Sequence, residues 1–155
     1  MSVGSRGPAP LPVRGRCFQG EGLISYARRA AAANHLTVED VESALRSQGY
    51  VFPQRRESEE RRKIWRSLGD LHSSAFTETE QDGTVPLSYR QLCAKCSAGQ
   101  PATGLLSAIG GDVCLRHRRW LGDGVQVDVS GAPEFLTAER TFHRVLVGRG
   151  LSLGS

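Results

Sequence analysis

Hydrophobic residues recur at helical spacing in four stretches of the chain. The first covers residues 21–34, and the second runs from Thr37, a predicted N-cap, to Gly49, a predicted stop. A third helix is predicted to begin after Ser58, which has the side chain of an N-cap. The fourth is predicted at about 133–147, with apolar positions at Phe135, Leu136, Phe142, Val145 and Leu146.

Evidence for strands is limited to one place. Valines alternate with polar residues over 125–129, which predicts a single short strand. Residues 1–16 are rich in glycine and proline and poor in apolar side chains, so they are predicted to be a disordered tail. The final residues, 148–155, are predicted to be disordered because they follow the last helix at the end of the chain. We therefore expect a mainly α protein, with a single helical domain over 17–147 and a minor β element.

Three cysteines and one histidine form two closely spaced pairs. Each pair spans one tight turn, and the 17 residues between the pairs can bring them together around one ion. Thiolate and imidazole ligands in this pattern favour zinc, with iron as the main alternative metal. The sequence thus predicts a zinc knuckle inserted at about 85–121, with four ligands: Cys93, Cys96, Cys114 and His117.

Composition narrows the class of protein without identifying a function. The net charge is +4, the pI is about 9.2 and nearly all of the positive charge is arginine, which permits a polyanionic partner but also follows from a GC-rich genome. No apolar run approaches the roughly 20 residues of a membrane span, and the N-terminus lacks a signal peptide, so a cytoplasmic protein is expected. Cys17 is then a free thiol. No catalytic signature appears, so no enzyme activity is expected.

Basic residues lie beside the metal ligands and in the third predicted helix. Those beside the ligands have a simple role in offsetting the negative charge of the thiolates. The third helix mixes both signs of charge, which favours ion pairs along a solvated face. Contact with phosphate groups is the alternative for both sets. The candidate nucleic-acid-binding residues are Arg116, Arg118, Arg119, Arg61, Arg62 and Lys63.

Two segments of the chain resemble the TniQ family of transposition proteins. Residues 20–28 (GEGLISYAR) are similar to the family's N-terminal "GESL.SW..R" helix start. A Cys-x2-Cys pair followed by VCLRHRRWL at 113–121 is similar to the "VCPRHG" second half of the family's zinc site. The resemblance covers roughly residues 17–121 in order.

The resemblance implies a helical domain with an inserted zinc knuckle, held by the same four ligands. TniQ-like proteins are not transposases; they are adaptors in target selection that contact DNA or a guide complex and engage an AAA+ transposition regulator. The expected function is accordingly a non-catalytic adaptor acting on DNA or in a DNA-bound complex.

A protein-interaction module without nucleic-acid contact is the alternative. Its knuckle would present Trp120 and Leu121 to a protein partner. Trp120 itself is interpreted as packing against the knuckle, with base stacking as the other possible role.

Overall fold

The computed structural model describes residues 7–76, 87–107, 112–122 and 125–148. The chain divides into two compact units. Unit 1 comprises Met1–Cys17 and Gly22–Phe76, and unit 2 comprises Phe18–Glu21 and Thr77–Ser155. Within the described ranges, no helix is both long enough and apolar enough to cross a membrane.

Unit 1 contains three helices, α1 (Leu23–Ala33), α2 (Val38–Ser47) and α3 (Glu59–Gly69), as the sequence predicts. The two predicted N-caps are confirmed. The hydroxyl of Thr37 accepts a hydrogen bond from the amide of Asp40, while the carboxylate of Asp40 accepts one from the amide of Thr37. Ser58 accepts the amide of Arg61 at the start of α3. These bonds satisfy amides that have no partner within the helix, so they fix where α2 and α3 begin.

The core of unit 1 is built from the apolar faces of these helices. Trp65 of α3 and Tyr26 of α1 are fully buried, and the rings of Tyr26 and Phe76 lie 5.5 Å apart. Small side chains on α1, such as those of Ala27 and Ala30, allow the neighbouring helices to pack closely. Burial of each large apolar side chain contributes roughly 1.5–3 kcal/mol to folding.

Residues 7–16, which the sequence places in a flexible tail, are bonded to the helices of unit 1. The amide of Leu11 donates to the carbonyl of Leu68 at 2.8 Å, and the hydroxyl of Ser67 donates to the carbonyl of Pro8 at 2.6 Å. The hydroxyl of Tyr26 donates to the carbonyl of Gly15. Backbone bonding therefore orders this segment despite its few apolar residues. The rest of the predicted N-terminal tail, 1–6, lies outside the described residues, as does 149–155.

Unit 2 contains two small antiparallel sheets and one helix. The first sheet is a hairpin of β1 (Leu87–Gln91) and β2 (Thr103–Ser107). The second has the order β3–β4–β5, formed by Val113–Cys114, Arg119–Leu121 and Gln126–Asp128. Helix α4 (Pro133–Gly148) follows, and its Leu136 is buried with Val113 and Val129. The predicted strand at 125–129 and the last predicted helix are thus confirmed.

The short segment 18–21 completes the first hairpin of unit 2. Phe18 forms a small buried cluster with Leu92 and Ala102, and its amide donates to the carboxylate of Glu21. The carbonyl of Gly20 approaches Gly104 of β2 so closely that any Cβ at position 104 would overlap it. Glycine is therefore required at position 104 for this segment to lie against β2.

The expectation of a mainly α fold with a minor β element is wrong. The described residues contain two sheets beside the four helices, and both sheets belong to unit 2. The missed strands have two to five residues; β1 and β2 pair residues separated by a long loop, such as Gln91 with Thr103, whereas β3 and β4 are only two and three residues long. A strand this short does not produce the alternation of polar and apolar residues from which strands are recognised.

Candidate metal centre

The first pair of candidate ligands lies in the loop between β1 and β2. The amide of Ser97 donates to the carbonyl of Cys93 at 3.0 Å, and the amide of Gly99 donates to the carbonyl of Ala94 at 2.7 Å, so the chain turns sharply after Cys93. This turn points the backbone amides of Lys95 and Cys96 at the sulfur of Cys93. Amide hydrogen bonds of this kind orient a thiolate and stabilise its negative charge.

The side chain of Ser97 is buried within this loop and bonds to its backbone. It is fully buried, and its hydroxyl donates to the carbonyl of Gln100 at 2.8 Å. Ala98 and Gly99 then both adopt positive φ angles, 51° and 78°, to reverse the chain toward β2. The side-chain bond of Ser97 holds together a loop whose backbone conformation is unfavourable for alanine.

The second pair of ligands lies at the β3–β4 turn. Cys114 is the last residue of β3 and pairs with Arg119 in β4, while His117 lies within the connecting turn 115–118. Arg118 has φ 53°, which returns the chain into β4, and its carbonyl accepts the amide of Val129. Each pair is therefore held by a hairpin connection, and both positions are defined by backbone bonding.

The four predicted ligands come together in one cluster. Their sulfur and nitrogen atoms all lie within 4.8 Å of one another. The Nδ1 atom of His117 lies 3.6 Å from the sulfur of Cys93, 3.2 Å from that of Cys96 and 3.7 Å from that of Cys114. The sulfurs of Cys96 and Cys114 are 3.7 Å apart. The group can hold one metal ion between its four donor atoms, with His117 contributing Nδ1.

Proximity of the thiols affects their ionisation. Burial disfavours the thiolate of Cys93, but hydrogen bonds from the amides of Cys96 and Lys95 and from the thiols of Cys114 and Cys96 together outweigh it, so the pKa of Cys93 is lowered. Burial, together with the neighbouring sulfurs of Cys114 and Cys93, raises the pKa of Cys96 to about 12. The protein alone thus favours one thiolate and opposes a second, and a bound cation is what would allow all three to ionise.

Gln126 of β5 connects the second sheet to the first ligand loop. Its side-chain amide donates to the carbonyl of Leu92 at 2.9 Å, and its side-chain oxygen accepts the amide of Ala94 at 2.8 Å. These two bonds clamp the backbone on both sides of Cys93. A further ion pair joins Arg90 of β1 to Asp112, which immediately precedes β3. Nothing in the sequence indicates this role for Gln126, which is only one polar residue in a predicted strand.

We expect Gln126→Ala to weaken metal binding about 10- to 100-fold, because loss of a group that orients a ligand typically has this effect. It should also lower the free energy of unfolding of unit 2 by about 2 kcal/mol, the sum of two ordinary hydrogen bonds. Competition with a chelator and thermal unfolding measure the two effects. Gln91→Ala, which removes an exposed glutamine from β1, is the matched control. Equal metal affinity in both variants would contradict a clamping role for Gln126.

The candidate nucleic-acid-binding residues differ in how they are placed. Arg116 and Arg118 are exposed in the turn that carries His117. Arg119 is partly buried, and its guanidinium donates to the carbonyl of Gln126 at 3.3 Å. Lys95, another of the basic residues that the sequence places beside the ligands, is exposed between Cys93 and Cys96. Three exposed cations therefore lie in the two ligand loops of unit 2.

Two of the three candidate nucleic-acid-binding residues in α3 already form ion pairs with glutamates of unit 1. Arg61 is bonded to both carboxylate oxygens of Glu42, with only 12% and 5% of the two side chains exposed. Arg62 lies 3.8 Å from the carboxylate of Glu57 and 3.5 Å from that of Glu59. Lys63 is exposed. The structure brings Arg116, Arg118 and Arg119 together in one hairpin, and it places Arg61, Arg62 and Lys63 in the other unit.

Comparison of the chain with models of protein families, with curated proteins and with solved structures gave no match.

Proposed function

We propose that this chain is a zinc-stabilised, non-catalytic adaptor that associates with DNA or with a DNA-bound complex, acting in transposition or target selection as TniQ-like proteins do. Unit 2 would be the part that contacts nucleic acid. The observation that carries the proposal is the set of exposed cations in the two ligand loops: Lys95, Arg116 and Arg118.

Zinc is the metal that best fits the cluster. A tetrahedral ion with bonds of about 2.3 Å to sulfur and about 2.0 Å to nitrogen separates two sulfurs by about 3.8 Å and a sulfur from a nitrogen by about 3.5 Å. The sulfurs of Cys96 and Cys114 are 3.7 Å apart and the Nδ1 atom of His117 lies 3.2–3.7 Å from the three sulfurs, which is close to these values. Metal analysis of the purified protein distinguishes zinc from iron, the main alternative.

A structural role for the ion follows from the number of ligands. Four protein ligands fill a tetrahedron and leave no position for a reactive water, so the ion would not act as a catalyst. Three thiolates and a neutral imidazole around Zn²⁺ carry about one net negative charge. The adjacent cations offset that charge, and those that point outward can also attract a polyanion.

Lys95, Arg116 and Arg118 contrast with the arginines of α3. Within the described part of the chain, their side chains make no hydrogen bond or ion pair, although Lys95 is near enough to Asp128 to help lower the pKa of that carboxyl. Arg61 and Arg62 are already paired with carboxylates. Cations without such partners need break no internal bond to contact phosphate, which favours unit 2 over α3 as the phosphate-binding surface.

We expect Arg116→Glu/Arg118→Glu to weaken binding to duplex DNA and to reduce the slope of log K against log salt by about 2, since each phosphate contact contributes roughly 0.9 to that slope. Titrations at several salt concentrations measure this. Arg55→Glu/Arg56→Glu removes the same charge from two exposed positions in unit 1 and is the matched control. Lys63→Glu tests the exposed cation of α3.

If the double variant and its control lose the same affinity for duplex DNA, binding depends on net charge alone and not on the position of the cations. The absence of any salt-dependent binding by the unaltered protein would contradict direct contact with DNA. In that case association with a DNA-bound complex would have to proceed through protein contacts, for which the resemblance to TniQ suggests an AAA+ transposition regulator. Co-purification with such a regulator tests that version.

A protein-interaction module without nucleic-acid contact is the second candidate. It is favoured by exposed apolar residues in the second sheet and directly before β5: Trp120, Val127 and Val125, with 39%, 46% and 66% of their surfaces exposed. If the charge reversal leaves DNA association intact while a protein partner is lost, this second function is the better one.

A further inference from the structure

Trp120 occupies the middle strand of the three-stranded sheet in unit 2. It pairs with Val113 of β3 on one side and with Val127 of β5 on the other. Val113 is buried beneath α4, whereas 39% of Trp120 and 46% of Val127 remain exposed. The other tryptophan of the chain, Trp65, is fully buried in unit 1. A large aromatic side chain is thus presented to solvent from the strand that follows the second ligand loop.

Gly122 fixes the orientation of this indole. A Cβ at position 122 would overlap the Cζ3 and Cη2 atoms of Trp120, so the six-membered ring lies directly against the glycine backbone. The ring is therefore supported on one side by main chain and accessible on another. Because it is already held in place, stacking a flat ligand on it requires little loss of side-chain entropy.

The exposed cations lie close to this ring along the chain. Arg118 precedes Trp120 by two residues, a separation of about 7 Å at the rise of a β-strand. Arg116 lies in the same turn as Arg118, and the metal cluster brings the loop of Lys95 to this turn. Aromatic and cationic side chains thus occupy one region of unit 2.

We infer that this region binds single-stranded nucleic acid, with an unstacked base on the indole of Trp120 and neighbouring phosphates at Arg116 and Arg118. The inference rests on the proposed function and names the form of nucleic acid that the surface selects. A base supplies a flat π-face for the ring and its backbone supplies the anions, which is the pairing used by proteins that bind single strands. An apolar protein segment would cover Trp120 and Val127 but would supply no anionic partner for the exposed guanidiniums of Arg116 and Arg118, so complementarity of charge favours the nucleic acid.

Titration of the zinc-loaded protein with a single-stranded 12-nucleotide DNA, and separately with the corresponding duplex, tests the inference. We expect tighter binding to the single strand and quenching of the Trp120 emission, while the buried Trp65 remains unaffected. Trp120→Leu should weaken single-strand binding by about tenfold or more, the typical effect of removing one stacking side chain. Its effect on duplex binding should be small. Trp120→Phe keeps a π-face and should restore most of the affinity while abolishing the quenching.

Phe135→Leu is the matched control, because it removes an aromatic side chain of similar exposure, 47%, from α4. Metal content and melting temperature establish that each variant is folded. Salt-dependent duplex binding with no preference for the single strand and no effect of Trp120→Leu would overturn the inference but leave the proposed function standing. No binding to either form would overturn both the inference and direct contact with DNA, and would leave only association with a DNA-bound complex through protein contacts. Loss of a protein partner in Trp120→Leu, with single-strand affinity unchanged, would also overturn the inference.

Discussion

Removal of the metal, or the substitution Cys114→Ala, is expected to unfold the hairpins of unit 2 while α1, α2 and α3 remain helical. Binding of a structural zinc ion to such a site contributes about 10–16 kcal/mol, which is comparable to the total free energy of unfolding of a typical domain, about 5–15 kcal/mol. The strands around the site have only two to five residues, and the buried apolar clusters of unit 2 are small. Little else in the described part of unit 2 opposes unfolding once the ligands separate.

Far-UV circular dichroism and thermal unfolding, with and without a strong chelator, measure this effect. Cys17→Ala is the matched control, since it removes a cysteine that packs against the core of unit 1. We expect it to retain the metal and the melting behaviour of unit 2. An unchanged spectrum and melting curve after complete metal removal would contradict a structural role for the ion.

The second large effect is expected at the Glu42–Arg61 ion pair between α2 and α3. Glu42→Leu should lower the free energy of unfolding of unit 1 by about 3–5 kcal/mol, because it leaves a buried guanidinium without its counter-charge. Arg61→Met should lower the free energy of unfolding by a similar amount, because it leaves the buried carboxylate of Glu42 without its counter-charge. The double variant should be much less destabilised than either single one, since it leaves no uncompensated charge and retains apolar packing against Phe52, over whose ring Arg61 lies.

Urea denaturation followed through the fluorescence of Trp65 reports on unit 1, and Trp120→Phe in all variants removes the signal from unit 2. Glu39→Gln is the control: Glu39 pairs with Arg46, but 76% and 42% of these side chains are exposed. Its effect should stay within about 1 kcal/mol. If Glu42→Leu lowers the free energy of unfolding no more than Glu39→Gln does, burial of the Glu42–Arg61 pair has no energetic consequence.

Local signals account for what the sequence predicted correctly. The helices follow from apolar spacing and from caps such as Thr37 and Ser58, which involve residues within one turn of each other. The cluster of four candidate ligands follows from two short spacings, Cys-x2-Cys and Cys-x2-His, which are typical of metal sites. Both kinds of information are carried by a few adjacent residues.

The parts that were missed depend on pairing between distant residues. Gln126 bonds to backbone groups 32 and 34 residues earlier in the chain, and Arg61 pairs with a glutamate 19 residues away. The first hairpin joins β1 and β2, whose sequences show little alternation of polar and apolar residues, around the long loop that carries Cys93 and Cys96. These elements are held by hydrogen bonds and ion pairs between distant groups, which do not produce a hydrophobic pattern.

The segment 18–21 makes the metal-binding unit discontinuous in sequence. A fragment beginning at residue 77 would retain all four ligands but lack Phe18, whose ring packs on Leu92 beside the first cysteine, and Gly20, which lies against Gly104. No single cut in the chain separates the whole of unit 2 from the helices of unit 1. Recombination that exchanged residues 77–155 alone would carry the four candidate ligands but leave Phe18 and Gly20 behind, and would so remove part of the small core beside the candidate metal centre.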